Sequence, residues 1–202
     1  MSIDATPNPA TAIPGYDYGS ETLHSPVDLH ELARLKAAVG MTEEDERYLR
    51  MAGAVLADQA GDMVDEWRAH LGAHPHLAAY SKRRDGSPNP EYAAATRPRF
   101  VQWVIDACLR GYDQQWLDYQ HEIGLRHMRE RKNLTDHADS PDHVPMRYLV
   151  AFSAVVIVTA RTRLAAAGRP DSEVQRMHDA WTKAVMLAVT LWTRPYVSAT
   201  DW

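Results

Sequence analysis

The segment MRYLVAFSAVVIVTA, residues 146–160, limits the fold more than any other stretch of the chain. Leu149, Val150, Phe152, Val155, Val156, Ile157 and Val158 crowd every side of the helix that Pro145 opens. A helix apolar almost all round has to be covered on both sides, because no face of it is suited to water. One side then meets the core of its own domain. The other, together with the final helix, is expected to meet a second copy, which predicts a homodimer through the last two long helices. Membrane crossing is not the expected use. The run Tyr148 to Ala160 is 13 residues held between Arg147 and Arg161, against about 20 for a bilayer.

Helical spacing recurs along the rest of the chain. Leu29, Leu32, Leu35 and Val39 define a short helix closed by Gly40, and Thr42 with Asp45 is a capping signal for the next, TEEDERYLRMAG. Leu56, Ala60, Met63, Val64, Trp67 and Leu71 predict one long helix from about Ala52 to Leu71. A loop rich in proline, glycine and charge follows, around RRDGSPNP. The next helix runs from Glu91 to about Leu109, with a kink expected at Pro98. Gly111 turns the chain into a helix expected to continue through Lys132. The last two helices span Pro145 to Ala167 and Ser172 to Pro195. No segment alternates as a strand does, so the expected class is all-α with seven or eight helices. Residues 1–27, with Pro7, Pro9, Pro14 and Pro26, form an irregular arm, and residues 28–202 a single domain.

Composition narrows the function. A net charge of -5 and a pI near 6.0 give no excess of basic residues for phosphate, so a nucleic-acid partner is not expected. Cys108 is the only cysteine, which rules out an internal disulfide and a thiolate zinc site. With no hydrophobic stretch in the arm to serve as a secretory signal, the expected compartment is the cytoplasm. Hydrolase and phosphate-loop motifs are absent from the sequence.

Ten histidines remain to be weighed. His70 and His74 are four apart, but Gly72 and Pro75 make a continuous helix there doubtful, so they read as surface residues with His76. His24, His30, His137, His143 and His178 lie in polar surroundings and are read the same way. His121 and His127 differ by six positions, about 120° around a helix. Only His127 shares the inward stripe of Trp116, Gln120 and Ile123; His121 falls at the surface or an edge. Spacing alone favours a satisfied core histidine over a ligand at 127. An all-α chain of this size with one inward histidine after an aromatic-rich helix is nevertheless an arrangement that can hold a haem.

Longer motifs carry a resemblance. IPGYDYG, HPHL, YDQQWLDYQHEIGLRHMRERKN, RYLVAF and LWTRPYV occur in this order from Ile13 onward, and together they resemble the protoglobins, single-domain relatives of the globin-coupled sensors. The resemblance implies a globin-like helical sandwich with an additional N-terminal helix, an arm that helps bury the haem, and dimerisation through the last two long helices. It implies haem b as cofactor and His127 as the proximal iron ligand. Trp67 matches the distal tryptophan, and Phe100 and Phe152 match aromatic residues of the haem pocket. With Arg68, Ile123 and Leu149 these are the expected cofactor contacts. Arg68 departs from the family pattern, which has tyrosine directly after that tryptophan.

A haem held by one histidine leaves a sixth position for oxygen, carbon monoxide or nitric oxide. The expected function is therefore binding of a diatomic gas for storage, scavenging or sensing; with the chain ending at Trp202, sensing calls for a separate partner. The alternative is a haem enzyme, peroxidase-like or carbene-transferring, with Arg68 as the distal candidate. The cationic run Arg126, Arg129, Arg131 and Lys132 is expected to complement a helix C-terminus, with some member reaching a haem propionate.

Overall fold

Thr42 and Asp45 exchange hydrogen bonds: the Thr42 amide donates to Oδ2 of Asp45 at 2.8 Å and the Asp45 amide to Oγ1 of Thr42 at 3.2 Å. This capping box satisfies two donors that a helix start otherwise leaves open, and α2 (Glu43–Leu56) begins there. A one-way N-cap, in which the side chain accepts from the amide three positions later, opens α1 (Leu29–Ala38) at Asp28, α5 (Pro90–Leu109) at Asn89 and α6 (Gln114–Leu125) at Asp113. The computed structural model describes residues 13–202, so the first 12 residues of the N-terminal arm, with Pro7 and Pro9, lie outside the described residues. The other elements are α3 (Ala60–Ala73), a single turn α4 (Pro75–Ala78), α7 (Met146–Ala166) and α8 (Asp171–Thr193). Seven helices of ten residues or more and no strand make up the described chain. The class is all-α, as the periodicity implies.

Two boundaries differ from the sequence reading. The helix expected from Ala52 to Leu71 is interrupted by a 3₁₀ turn at Ala57–Gln59. The apolar phase survives the interruption, because Leu56, Ala60, Met63, Val64 and Trp67 are all fully buried. Ala57, Asp58 and Gln59 make the tighter turn, with Gln59 Nε2 donating to the Val55 carbonyl at 3.2 Å. The helix expected to reach Lys132 stops at Leu125. Conversely, α3 continues through Gly72 to Ala73, where the sequence leaves a continuous helix in doubt; α5 spans Pro98 as one helix, as expected.

The core forms where α7 and α8 pack together and against α2, α3 and α5. Trp67 and Trp181 are completely buried, and each indole N–H is anchored to α7: Trp67 Nε1 donates to Thr159 Oγ1 at 2.6 Å, Trp181 Nε1 to the Val156 carbonyl at 3.1 Å. Trp103 of α5 joins them, with ring centroids 5.9 Å from Trp181 and 5.3 Å from Trp192. Such contacts add to the area term that dominates folding. By length and composition alone α7 would also suit a membrane crossing. Its inner side nevertheless packs against other helices, and Arg163 near its end pairs with Glu66 of α3 at 2.6 Å. Its outer side exposes Val150 at 42% and Val158 at 66%.

Candidate functional site

The early end of α6 creates the site. In a continuing helix the Ile123 carbonyl would accept the backbone N–H of residue 127. Here it meets the His127 side chain instead, with Nδ1 2.8 Å away, and the His127 backbone N–H donates to the Gly124 carbonyl at 3.0 Å. A side chain competing for a backbone acceptor is a recognised way of closing a helix. The consequence is chemical as well as structural. A carbonyl can only accept, so Nδ1 carries the proton and Nε2 keeps its lone pair. Burial holds the imidazole below the usual histidine pKa and therefore neutral. The ring is also stacked on Trp192, with centroids 6.3 Å apart and planes 19° apart. Close approach of α6 and α8 permits this stacking: a Cβ on Gly124 would lie 2.9 Å from the Trp192 carbonyl oxygen and 3.2 Å from Pro195 Cγ.

His127 opens onto a cavity of about 590 Å³, within the range of small-molecule and cofactor sites. Its walls come from α3, α5, α6, α7 and α8. Phe100, Ile123, Leu149 and Phe152, four of the expected cofactor contacts, lie on its lining; Phe100 and Phe152 are the chain's only two phenylalanines. Trp67 does not line the cavity. It stands behind Phe100, with ring centroids 5.3 Å apart, and its N–H is spent on Thr159. Trp103, Tyr119, Val185, Val189 and Trp192 are wall residues that the sequence reading did not single out. Spacing marks them as core, and nothing in the spacing distinguishes a core filler from a cavity wall. Arg68 does line the cavity, but its Nη1 donates to the Ala93 carbonyl of α5 at 2.8 Å, and burial lowers its pKa.

Two further arginines at the wall are strapped by the arm. Arg99 donates to the Pro14 carbonyl at 2.7 Å and pairs with Asp136, while Arg126 donates to the Gly15 carbonyl and pairs with Asp17 at 2.7 Å and Glu122 at 2.9 Å. Gly15 has φ +71°, and a Cβ there would fall 2.6 Å from Arg99 Nη1. The expectation that Arg126, Arg129, Arg131 and Lys132 serve a helix end is corrected: the helix stops at Leu125, Arg126 is bound to the arm, and Lys132 is buried.

The other histidines separate from this cavity. His121 is half-buried at an edge, lines a second cavity of about 240 Å³ with Asp118, Glu122 and Arg131, and does not face the main one. His143 and His178 are partly covered rather than at the open surface, the latter with Nε2 3.0 Å from the Ile157 carbonyl. Among the described residues no group of three or more histidine, cysteine, aspartate and glutamate side chains is placed to hold a metal ion. A single free imidazole nitrogen, apolar aromatic walls and several cations at the rim fit a flat, largely apolar macrocycle that brings its own metal and carries carboxylates, which is the chemistry of haem.

Comparison with known proteins gives the same answer from a separate direction. The profile of the Protoglobin family matches residues 28–202. The chain belongs to the protoglobin family. Protoglobin membership implies a haem cofactor and a gas ligand. The fold is similar to the globin domain of a Geobacter sulfurreducens globin-coupled sensor, with a TM-score of 0.66 at 16% identity, covering 85% of this chain and 99% of that one. At that identity the likeness speaks for the globin fold alone. No curated protein matches the chain.

Proposed function

We propose that this protoglobin binds haem b through Nε2 of His127 and uses it to bind oxygen, carbon monoxide or nitric oxide, for storage, scavenging or sensing. The observation that carries this reading is the 2.8 Å contact between His127 Nδ1 and the Ile123 carbonyl, which leaves one neutral, oriented nitrogen on the cavity. When bound, haem supplies an iron whose sixth position takes a diatomic ligand. His127 contributes basicity and a fixed ring plane, the latter through Trp192. Phe100, Phe152 and Leu149 keep water away from the cavity, and Ile123 fills the space beside the histidine. Trp67 acts at one remove, by holding Phe100. The part of the arm from Pro14 to Asp17 closes over Arg99 and Arg126 and supports its assignment as a cover. A peroxidase-like activity would draw on Arg68, and its tie to the Ala93 carbonyl favours the gas-binding reading over that alternative; carbene transfer would use the open apolar cavity instead.

The test is an absorption spectrum of haem-supplemented protein, ferric and then reduced under carbon monoxide. A Soret band that shifts with carbon monoxide is expected; its absence in the wild type overturns the reading. Rapid peroxide turnover that collapses in Arg68→Leu would favour the enzymatic alternative.

The same proposal includes a cytoplasmic homodimer. Val150, Ala154 and Val158 form one uncovered stripe on α7, and Met186 is exposed on the neighbouring α8. A matching stripe on a second copy would take both out of water. Light scattering at micromolar concentration is expected to give twice the 22.8 kDa chain mass, and Val158→Asp to reduce it to one. A wild-type monomer would end this part of the proposal.

A further inference from the structure

Five cationic side chains line the main cavity: Arg68, Lys82, Arg99, Arg126 and Lys132. Their local pairing separates them. Arg99 is neutralised by Asp136, and Arg126 by Glu122 and Asp17. Arg68 is tied to the Ala93 carbonyl and has Asp65 as its neighbouring charge. Lys82 keeps contact with water. Lys132 is different. It is only 4% exposed, and among the described residues no carboxylate lies within 4.0 Å of its Nζ.

The Lys132 amine is nevertheless firmly held. Nζ donates to the Tyr80 carbonyl at 2.9 Å and to Ser140 Oγ at 3.0 Å, and it sits 5.1 Å from the centre of the Tyr92 ring. Ser140 is fully buried, and its hydroxyl donates to the same Tyr80 carbonyl at 2.9 Å. Asn133 fixes the Ser140 backbone through a 2.6 Å bond to its carbonyl. An ammonium has three N–H donors, and these contacts use two. A buried cation without an anion is costly, so chains that keep one generally supply a counter-charge. Burial pulls this amine down to about 8, and Asp142, which lies beyond ion-pair distance, opposes that shift only in part.

We infer that Lys132 is the cationic contact for a haem carboxylate, its third N–H completing the site that Tyr80 and Ser140 begin. This inference rests on the haem reading above. Of the run Arg126 to Lys132, it selects the one buried member that has no carboxylate within 4.0 Å among the described residues.

The experiment uses the full chain and two probes, haemin and haemin dimethyl ester, which lacks both carboxylate charges. Dissociation constants come from Soret titration. Wild type is expected to prefer haemin over the diester by about tenfold to a hundredfold, the range of a charge-assisted hydrogen bond. Lys132→Gln is expected to lower that ratio by about tenfold, weakening haemin far more than the diester. An unchanged ratio in Lys132→Gln, or no preference in wild type, overturns the inference. If Lys132→Gln binds neither probe, Lys132→Arg decides: a restored preference supports the inference, and equal loss of both probes overturns it. Wild type giving a Soret band with neither probe would instead defeat the haem reading itself.

Discussion

His127→Ala is expected to abolish stable haem binding, so that the haem-supplemented variant shows no Soret band under conditions where wild type shows a full one. Losing an outer partner of a metal ligand typically costs about 10–100-fold in affinity, and loss of the ligand itself should exceed that. No substitute is at hand: His121 lines the other cavity, and the described residues hold no alternative metal cluster. Free imidazole added to His127→Ala should restore part of the band, because the space vacated is that of an imidazole backed by Trp192 and the Ile123 carbonyl. A variant that binds haem as tightly as wild type would show that the ligand lies elsewhere. Folding is expected to persist, since the truncation removes one side chain from a cavity wall rather than from the packed centre.

Trp67→Ala is expected to have the opposite profile, a large loss of stability with the iron ligand intact. Its side chain is completely buried and touches Phe100 and Trp103 while donating to Thr159. Truncations of this kind cost about 3–5 kcal/mol, which for a chain of this size corresponds to a drop in Tm of roughly 6–20 °C. Calorimetry of the haem-loaded protein measures it. Trp67→Phe separates packing from hydrogen bonding: it keeps most of the volume and leaves Thr159 able to donate to Val155, whose carbonyl it already reaches at 2.8 Å. Its cost should be about 1 kcal/mol for the lost indole bond, plus a smaller packing term. If Trp67→Ala is nearly neutral, the indole is not the support on which Phe100 rests.

The two variants also divide what was readable from what was not. Helices were readable because their signals are local. Thr42 with Asp45 forms the capping box, Pro145 opens α7, and Gly40 closes α1 with φ +66°. The inward side of α6 was readable from the spacing of Trp116, Gln120 and Ile123, all at least partly buried. His127 faces the cavity as that stripe implies, yet not by helical phase, since α6 ends two residues earlier. A correct direction thus came with the wrong geometry, because phase counting has no way to register a ring nitrogen taking a backbone carbonyl.

From its sequence alone this protein is an all-helical chain with a capped, amphipathic core, an uncovered apolar helix, and motifs that resemble the protoglobins. Those properties follow from neighbours three and four positions apart, whose chemistry is written consecutively. Tertiary structure decided which side chains form a wall and which stand behind it. Trp67 withdrew behind Phe100, Arg68 turned to Ala93, and Lys132, indistinguishable in sequence from the three arginines around it, became the buried cation. The reason is distance along the chain. Lys132 meets Tyr80 across 52 positions and Arg68 meets Ala93 across 25, and burial and charge pairing over such separations exist only once the helices have packed.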